Sequence, residues 1–325
     1  MSSMVRHVRP VAPRWARGVV ADVYRHVGSE FADIGPTVRM ASPTPEILAP
    51  GWALLWESRL AGELPLPHKL LAGLGVAQAN RCGHDEDDWL AALRRAGAGE
   101  LAEQVAAGGP PDEARLTRLF DWARATAFDP SARMPVRLRP KPAPELIGTV
   151  LFAHFRDRMS LAMLAPGLSP GIEAAASAPL WRNSRPVLRP GDTLTLLKRT
   201  GKTPDWGADS PVGIAYGALA ANAARGAGMM SAEAAHTVTE VIAAYRGRIQ
   251  PDPSLICLGE LNRLSEADRF AARAAILAGL APAELTDADV LAWRATDRHL
   301  SDHCTVLLLA YGAMTAVAHI EADIA

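Results

Sequence analysis

The stretch "ANRCGHDEDDWL", residues 79–90, places a thiol (Cys82), an imidazole (His84) and four consecutive acids (Asp85, Glu86, Asp87 and Asp88) on one short piece of chain. Trp89 and an apolar helix follow. Side chains of these types do three kinds of chemistry. A thiol is a redox group when a second thiol can close a disulfide on it, and the outline here is that of a redox motif whose second thiol is missing. An imidazole and a carboxylate tuned apart by burial can serve as acid and base. A thiol, an imidazole and a carboxylate can also hold a metal, and His84 and Asp88 stand one helical turn apart. The helix offers no convincing further ligand, so no metal and no other cofactor is expected. The plainer alternative is structural: the acids cap a helix and face water, His84 sits in a loop, and Cys82 packs as a small hydrophobe.

Helices must position these groups, because strand signals are scarce. Leu, Val and Ala recur at helical spacing over residues 45–62, 67–81, 87–97, 112–127 and 144–164, and again over 210–228, 231–247, 265–281, 286–296 and 301–324. Caps mark several starts: Ser265 with Asp268, Thr286 with Asp289, and Ser301 before Asp302. Pro and Gly collect between the segments, where helices must stop. The fold class is all-α.

A shift of 165 residues lays "LPLPHKLLAGLGVAQANRCG" (64–83) over "MMSAEAAHTVTEVIAAYRGR" (229–248) and His154 over His319. Two matches at one offset, about half the chain, favour a tandem duplication. The domains are then 1–166, carrying the CGHD motif; an ordered Pro/Gly-rich connector over 167–209, whose "DTLTLLK" can pack on either half; and a diverged repeat over 210–325.

The segment "LPLPHKLLAGLGVAQANRCGHDEDDWLAAL", with "LFDWARATA" and "APELIGTVLFAHFRDRM" after it, resembles the core of the AhpD-like alkylhydroperoxidase superfamily, which includes carboxymuconolactone decarboxylases. It is closest in pattern to the two-domain, actinobacterial type. The resemblance implies a helical bundle, a small-molecule substrate and a homo-oligomer. Members carry a glutamate before a Cys-x-x-Cys pair and a histidine after it. Here Cys82 falls on the first cysteine and Asp85 on the second. The glutamate position falls near Lys69 and Leu70, and the histidine position near Asp88 or Trp89. A helix N-terminus favours a thiolate, but neighbouring carboxylates oppose it, so Cys82 is expected to be a sluggish nucleophile without a resolving partner. The dithiol cycle is lost.

Other residues offer less. His154 sits in an apolar helix; with Trp89 it is taken as lining a substrate pocket, while Cys82, His84, Asp85 and Asp88 are the catalytic candidates. Arg156 and Arg158 in "FRDRM" point apart at i,i+2, which predicts a surface role. The cluster His299, Asp302 and His303 has no metal-ligand spacing, and no phosphate loop, Gly-x-Ser-x-Gly or dinucleotide fingerprint is present.

Composition narrows the setting. Lys+Arg (34) and Asp+Glu (35) nearly balance, which gives no reason to expect nucleic acid or an anionic membrane as partner. The basic start lacks an apolar signal core, no uninterrupted apolar run reaches about 18 residues, and three scattered cysteines fit a reducing cytoplasm. Three functions stay open: an enzyme without the cysteine pair, doing decarboxylase- or lyase-like acid–base chemistry on a small organic substrate of bacterial secondary or aromatic metabolism; a one-cysteine alkylhydroperoxidase using Cys82; and a non-catalytic binding or scaffold protein that kept the fold.

Overall fold

A computed structural model of the chain describes residues 4–31, 33–134, 143–167, 189–198 and 201–325. The described residues form thirteen α-helices with no strand, so the all-α expectation stands. The first half holds α1 (Gly18–Glu30), α2 (Pro36–Arg39), α3 (Pro45–Leu55), α4 (Leu66–Ala79), α5 (Gly83–Arg95), α6 (Gly99–Ala106), α7 (Ala114–Ala125) and α8 (Ala143–Met163). The second half holds α9 (Pro211–Ala223), α10 (Ala232–Ala244), α11 (Glu266–Leu280), α12 (Asp287–Ala295) and α13 (Asp302–Ile324). Residues 18–30 and 99–106 are helices whose periodicity sequence reading did not pick out.

The centre of the first half is α4, which packs on α5, α7 and α8. The halves meet where α3 lies on α9 and α8 on α13. The second half is built on α11 against α13, and Gly312 lets the two backbones touch: a Cβ there would come within 1.9 Å of the Ala275 carbonyl oxygen. By length and composition α13 could cross a membrane, but 72% of its apolar window is buried against the other helices. It is a core helix of this bundle.

Three local features place the site. First, α4 ends in a Schellman turn: the Cys82 N–H bonds the Ala77 carbonyl and the Arg81 N–H bonds the Gln78 carbonyl, with Arg81 at φ 55°. That turn puts Cys82 at the N-cap of α5. The same turn ends α10, where Arg246 has φ 49° and the Gly247 N–H bonds the Ile242 carbonyl, at the 165-residue offset read from the sequence. Beyond it the halves part, since the second half runs into short 3-10 turns (Pro253–Leu255, Gly259–Arg263) in place of α5.

Second, the helix expected over 45–62 does not run straight through. Its last turn, Trp56–Leu60, widens to a π-turn, and all five of its residues are buried. A π-turn rotates side chains that an α-turn would leave outside, and here it carries Glu57 and Arg59 inward. Glu57 accepts hydrogen bonds from the Gly191 N–H and from the N–H and hydroxyl of Thr193, which pins the connector's 3-10 turn (Asp192–Leu196). The described part of "DTLTLLK" therefore packs on the first half; residues 168–188 and 199–200 of the connector lie outside the described residues.

Third, α8 is enclosed on almost every side, polar residues included. Arg156 and Arg158 do point apart, as i,i+2 residues should, but each meets protein. Arg156 faces α5, and Arg158 reaches into the second half, donating to the carbonyls of Gly279 and Gly247. The surface role predicted for them is wrong because α8 is a central helix. The cap expectations hold at Ser265 and Thr286, but the Ser301 hydroxyl makes no N-cap bond and lies against Cys304.

Trp89 tests this packing. Its ring lies on Gly73 of α4, where a Cβ would fall 2.5 Å from the ring carbons. Gly73→Ala is expected to lower stability by about 1–3 kcal/mol through overpacking, despite the better helix propensity of alanine. Thermal unfolding together with native tryptophan fluorescence will show it.

Candidate active site

Helix α5 turns Asp85 and Asp88, one turn apart, toward α8, and leaves Asp87 in water. Glu86 is half-buried and bonds the Gln78 amide. The four acids therefore divide two and two, and the structural alternative fails for Asp85, whose side chain is 0% exposed.

Asp85 Oδ1 accepts hydrogen bonds from Arg156 Nη2 (2.9 Å), His84 Nδ1 (3.0 Å) and the Ser160 hydroxyl (3.1 Å). Asp88 Oδ2 accepts from Arg156 Nη2 (2.8 Å) and Arg59 Nη1 (3.4 Å). Both guanidinium groups lie near the Trp89 ring, Arg59 at 4.2 Å and Arg156 at 5.3 Å from its centroid. Cation–π attraction of roughly 0.5–2 kcal/mol per contact helps hold these buried cations. Burial alone would raise the Asp85 carboxyl; the charge of Arg156 and the hydrogen bond from His84 outweigh it and hold the group far below the usual carboxylate range. Burial lowers Arg59 to about 10, with Asp88 pulling it back up, so it stays charged at neutral pH.

Behind this layer lies Asp157, also 0% exposed, which sequence reading passed over. Its Oδ2 accepts from the Asn80 amide (2.7 Å), and the same amide nitrogen reaches His154 Nδ1 (3.2 Å). The Thr126 hydroxyl donates to the Ala123 carbonyl (2.6 Å), so it accepts from His154 Nε2 (2.9 Å), which fixes a neutral imidazole protonated at Nε2. Burial, then the charges of Arg158 and Arg248, push His154 well below its ordinary value. Burial and the charge of Asp85 push Asp157 the opposite way, well above the carboxylate range. Its place was readable in principle: Asp157 is an acid three residues from His154 in an apolar helical run.

Cys82 is 1% exposed, and its thiol lies 3.9 Å from the Asp157 carbonyl oxygen. Burial, with Asp85 and Asp157 adding to it, pushes the thiol well up; the Asp85 N–H and Arg156 pull it down too little to compensate. The helix N-terminus is present, but desolvation wins. Cys82 Sγ and one oxygen each of Asp85 and Asp157 lie within 4.8 Å of one another. That differs from the Cys82, His84 and Asp88 set considered from spacing.

The candidates fall into two groups. Cys82, His84, Asp85 and Asp88 meet in one buried network with Arg59, Arg156, Asp157 and Asn80. Trp89 is a fully buried plate beneath the arginines, and His154 is 0% exposed in the hydrogen-bonded chain behind Asp157. His319 is only half-buried, near Arg246 and Asp323. Where the family's glutamate would stand, Lys69 is buried and paired instead with Glu145 of α8 at 2.9 Å.

Two cavities flank α3. One, of about 50 Å3, is walled by Met40, Ile47, Trp52, Phe152 and Phe155, with Arg156 as its sole charged residue. At about 10–15 Å3 per water it has room for only a few. The other, about 440 Å3, lies between the halves and includes Glu46, Arg225 and His303. Neither is lined by Cys82, Asp85 or Asp157.

The turn that ends α4 delivers Cys82 to the N-cap of the next helix, and Asp85 and Asp88 of that helix are turned onto the central helix α8. The chain is 31% identical over 329 residues to Alkyl hydroperoxide reductase Rv2159c of Mycobacterium tuberculosis (strain ATCC 25618 / H37Rv), covering 97% of this chain and 94% of that one. It belongs to the AhpD-like alkyl hydroperoxide reductase family. No family model matches the chain, and no solved structure does.

Proposed function

We propose that this chain is an AhpD-like enzyme that works without a cysteine pair, by decarboxylase- or lyase-like acid–base chemistry on a small organic substrate. The observation that carries this reading is the exchange of roles at the motif: the thiol is buried and hard to ionise, while Asp85, in the place of the second thiol, is ionised and joined to His84. A carboxylate, an imidazole and a second carboxyl whose environments drive them apart are the parts that acid–base catalysis needs. A setting in secondary or aromatic metabolism, and a homo-oligomer in the cytoplasm, fit this reading.

The printed name of the relative favours a second reading, hydroperoxide reduction at Cys82 with an external thiol as resolver. The two separate cleanly. Hydroperoxide turnover with a small dithiol reductant is expected to be absent in the wild type and unchanged in Cys82→Ser, while a panel of small carboxylic acids is screened for carbon dioxide release. Peroxide turnover that disappears in Cys82→Ser would establish the thiol reading and sink the acid–base one.

A further inference from the structure

The network around Asp85 leaves two oxygen atoms unaccounted for. Asp85 Oδ2 and Asp157 Oδ1 are both buried and have no hydrogen-bond partner if both carboxyls are ionised. Every other oxygen of the pair is engaged: Asp85 Oδ1 by three donors, Asp157 Oδ2 by Asn80. The two carboxyls lie together, with an oxygen of each within 4.8 Å of the other and of Cys82 Sγ. Two bare carboxylate oxygens held together in a dry interior repel, and each lacks the donor that burial demands. One proton between them meets both demands at once.

Charge balance agrees. Asp85, Asp88 and Asp157 would carry three negative charges against two permanent cations in direct contact, Arg59 and Arg156, while His84, the other ionic partner of Asp85, adds charge only when protonated. The groups facing Asp157 are Cys82 and Asp85 from α5 and Arg156 and Arg158 on α8, while Asn80 of α4 is neutral. Arg158 spends its N–H groups on the carbonyls of Gly279, Gly247 and His154 rather than on Asp157. One proton on Asp157 leaves the contacting pairs neutral with the thiol still protonated. A divalent cation at Cys82, Asp85 and Asp157 would also balance, but only after ionising a thiol that its surroundings keep protonated.

We propose that Asp85 and Asp157 hold a single proton between Asp85 Oδ2 and Asp157 Oδ1, and that this pair is the proton store of the site. The proposal deepens the acid–base reading and rests on it for its catalytic meaning. In a decarboxylation the C–C bond breaks, carbon dioxide leaves, and the electron pair kept by the substrate carbon takes up one proton. Asp85 delivers the shared proton to that carbon, which leaves both carboxyls ionised, and the pair takes back one proton from solvent before the next turnover; His84, whose Nδ1–H bonds Asp85, holds that carboxylate in place. Asp157 is thus a positioning and proton-holding residue and need not touch substrate.

The pair makes an asymmetric prediction. In Asp157→Asn the new amide can donate to Asp85 Oδ2 and its oxygen can still accept from Asn80, which reproduces the protonated acid. In Asp85→Asn the amide oxygen can keep the bonds from Arg156, His84 and Ser160 and the amide nitrogen can face Asp157, but the buried charge that balances Arg156 is lost.

The test is infrared difference spectroscopy of the wild type and both variants at neutral pH, read with thermal midpoints. Expected are a protonated-carboxyl carbonyl band in the wild type, its loss in Asp157→Asn without loss of fold, and a clearly lowered midpoint in Asp85→Asn. The raised folded-state value of Asp157 also fixes a sign. Its contribution is fully present below the unfolded value of about 3.9 and declines as pH rises toward the folded one, so Asp157→Asn should gain on the wild type as pH rises above that unfolded value. Absence of the band at neutral pH, its survival in Asp157→Asn, or a bound metal ion lost in that variant overturns the proposal. A band without turnover of any carboxylic substrate leaves the shared proton standing and sinks the acid–base reading instead; turnover without a band does the reverse.

Discussion

Replacing Arg156 by methionine is expected to cost roughly 3–5 kcal/mol of stability, the range found when one partner of a buried pair is removed. The loss comes from what remains. Methionine replaces most of the apolar stem, but Asp85 keeps its 0% exposure and loses its cation, retaining only the His84 and Ser160 donors. Asp88, about a third exposed, still has water and Arg59, so it adds less. Arg156→Lys should recover only part, because one ammonium cannot reproduce a planar fork that reaches both carboxylates. The pH dependence follows from the depressed Asp85 carboxyl. Its contribution is fully present above the unfolded value of about 3.9 and is lost as pH falls through the folded value, so the gap between wild type and Arg156→Met should be widest near neutrality and close in acid. Adding Asp85→Asn to Arg156→Met removes the stranded charge and should restore part of the loss, whereas two independent sites would add. Urea unfolding midpoints of the three variants across pH decide it.

The helices that carry this network were legible because their apolar residues recur at helical spacing, and nearly all were placed within a few residues. Three escaped, α1, the single turn α2 and the short α6, and none of them starts on a side-chain N-cap bond. The π-turn at Trp56–Leu60 could not be read, because nothing in "WESRL" distinguishes a widened turn from another α-turn; its buried Glu57 and Arg59 are tolerated only because of partners far along the chain. The repeat was legible at one place in particular. The register that laid residues 64–83 over 229–248 also brings together two turns that both end on an arginine of positive φ.

At the site, the sequence supplied the residues but not their directions. Periodicity alone puts Asp85 and Asp88 on one helix face; that this face is the inner one depends on Arg59 and Arg156, which arrive from other segments. Arginines in an amphipathic-looking helix read as surface, and a charged residue is almost never fully buried unless paired. Pairing across about seventy residues of chain leaves no local trace, so Arg156 was misread and Asp157 went unread for the same reason. His154 was noticed for its apolar surroundings. The hydrogen bonds to Asn80 and Thr126 that explain it are equally non-local.

The reactivity of Cys82 gives the sharpest separation of the functional readings. Under a thiol-specific reagent, Cys257, which is exposed, should react at once; Cys304, half-buried, should follow; and Cys82, 1% exposed, should wait for the chain to open. Opening free energies range up to the global stability, typically 5–15 kcal/mol. Even the low end of that range, at about 1.4 kcal/mol per factor of ten, slows Cys82 by roughly a thousandfold or more relative to Cys257. The dependence on pH distinguishes the route. If labelling passes through an open state, the thiol there has an ordinary value, both cysteines accelerate together as pH rises, and their ratio stays constant. A working peroxidatic thiol would behave in the opposite way. Its thiolate would persist in the folded protein at mildly acid pH, so Cys82 would keep reacting where Cys257 has slowed, and the ratio would invert. A constant ratio of a thousand or more therefore removes the folded-state thiolate that hydroperoxide reduction requires.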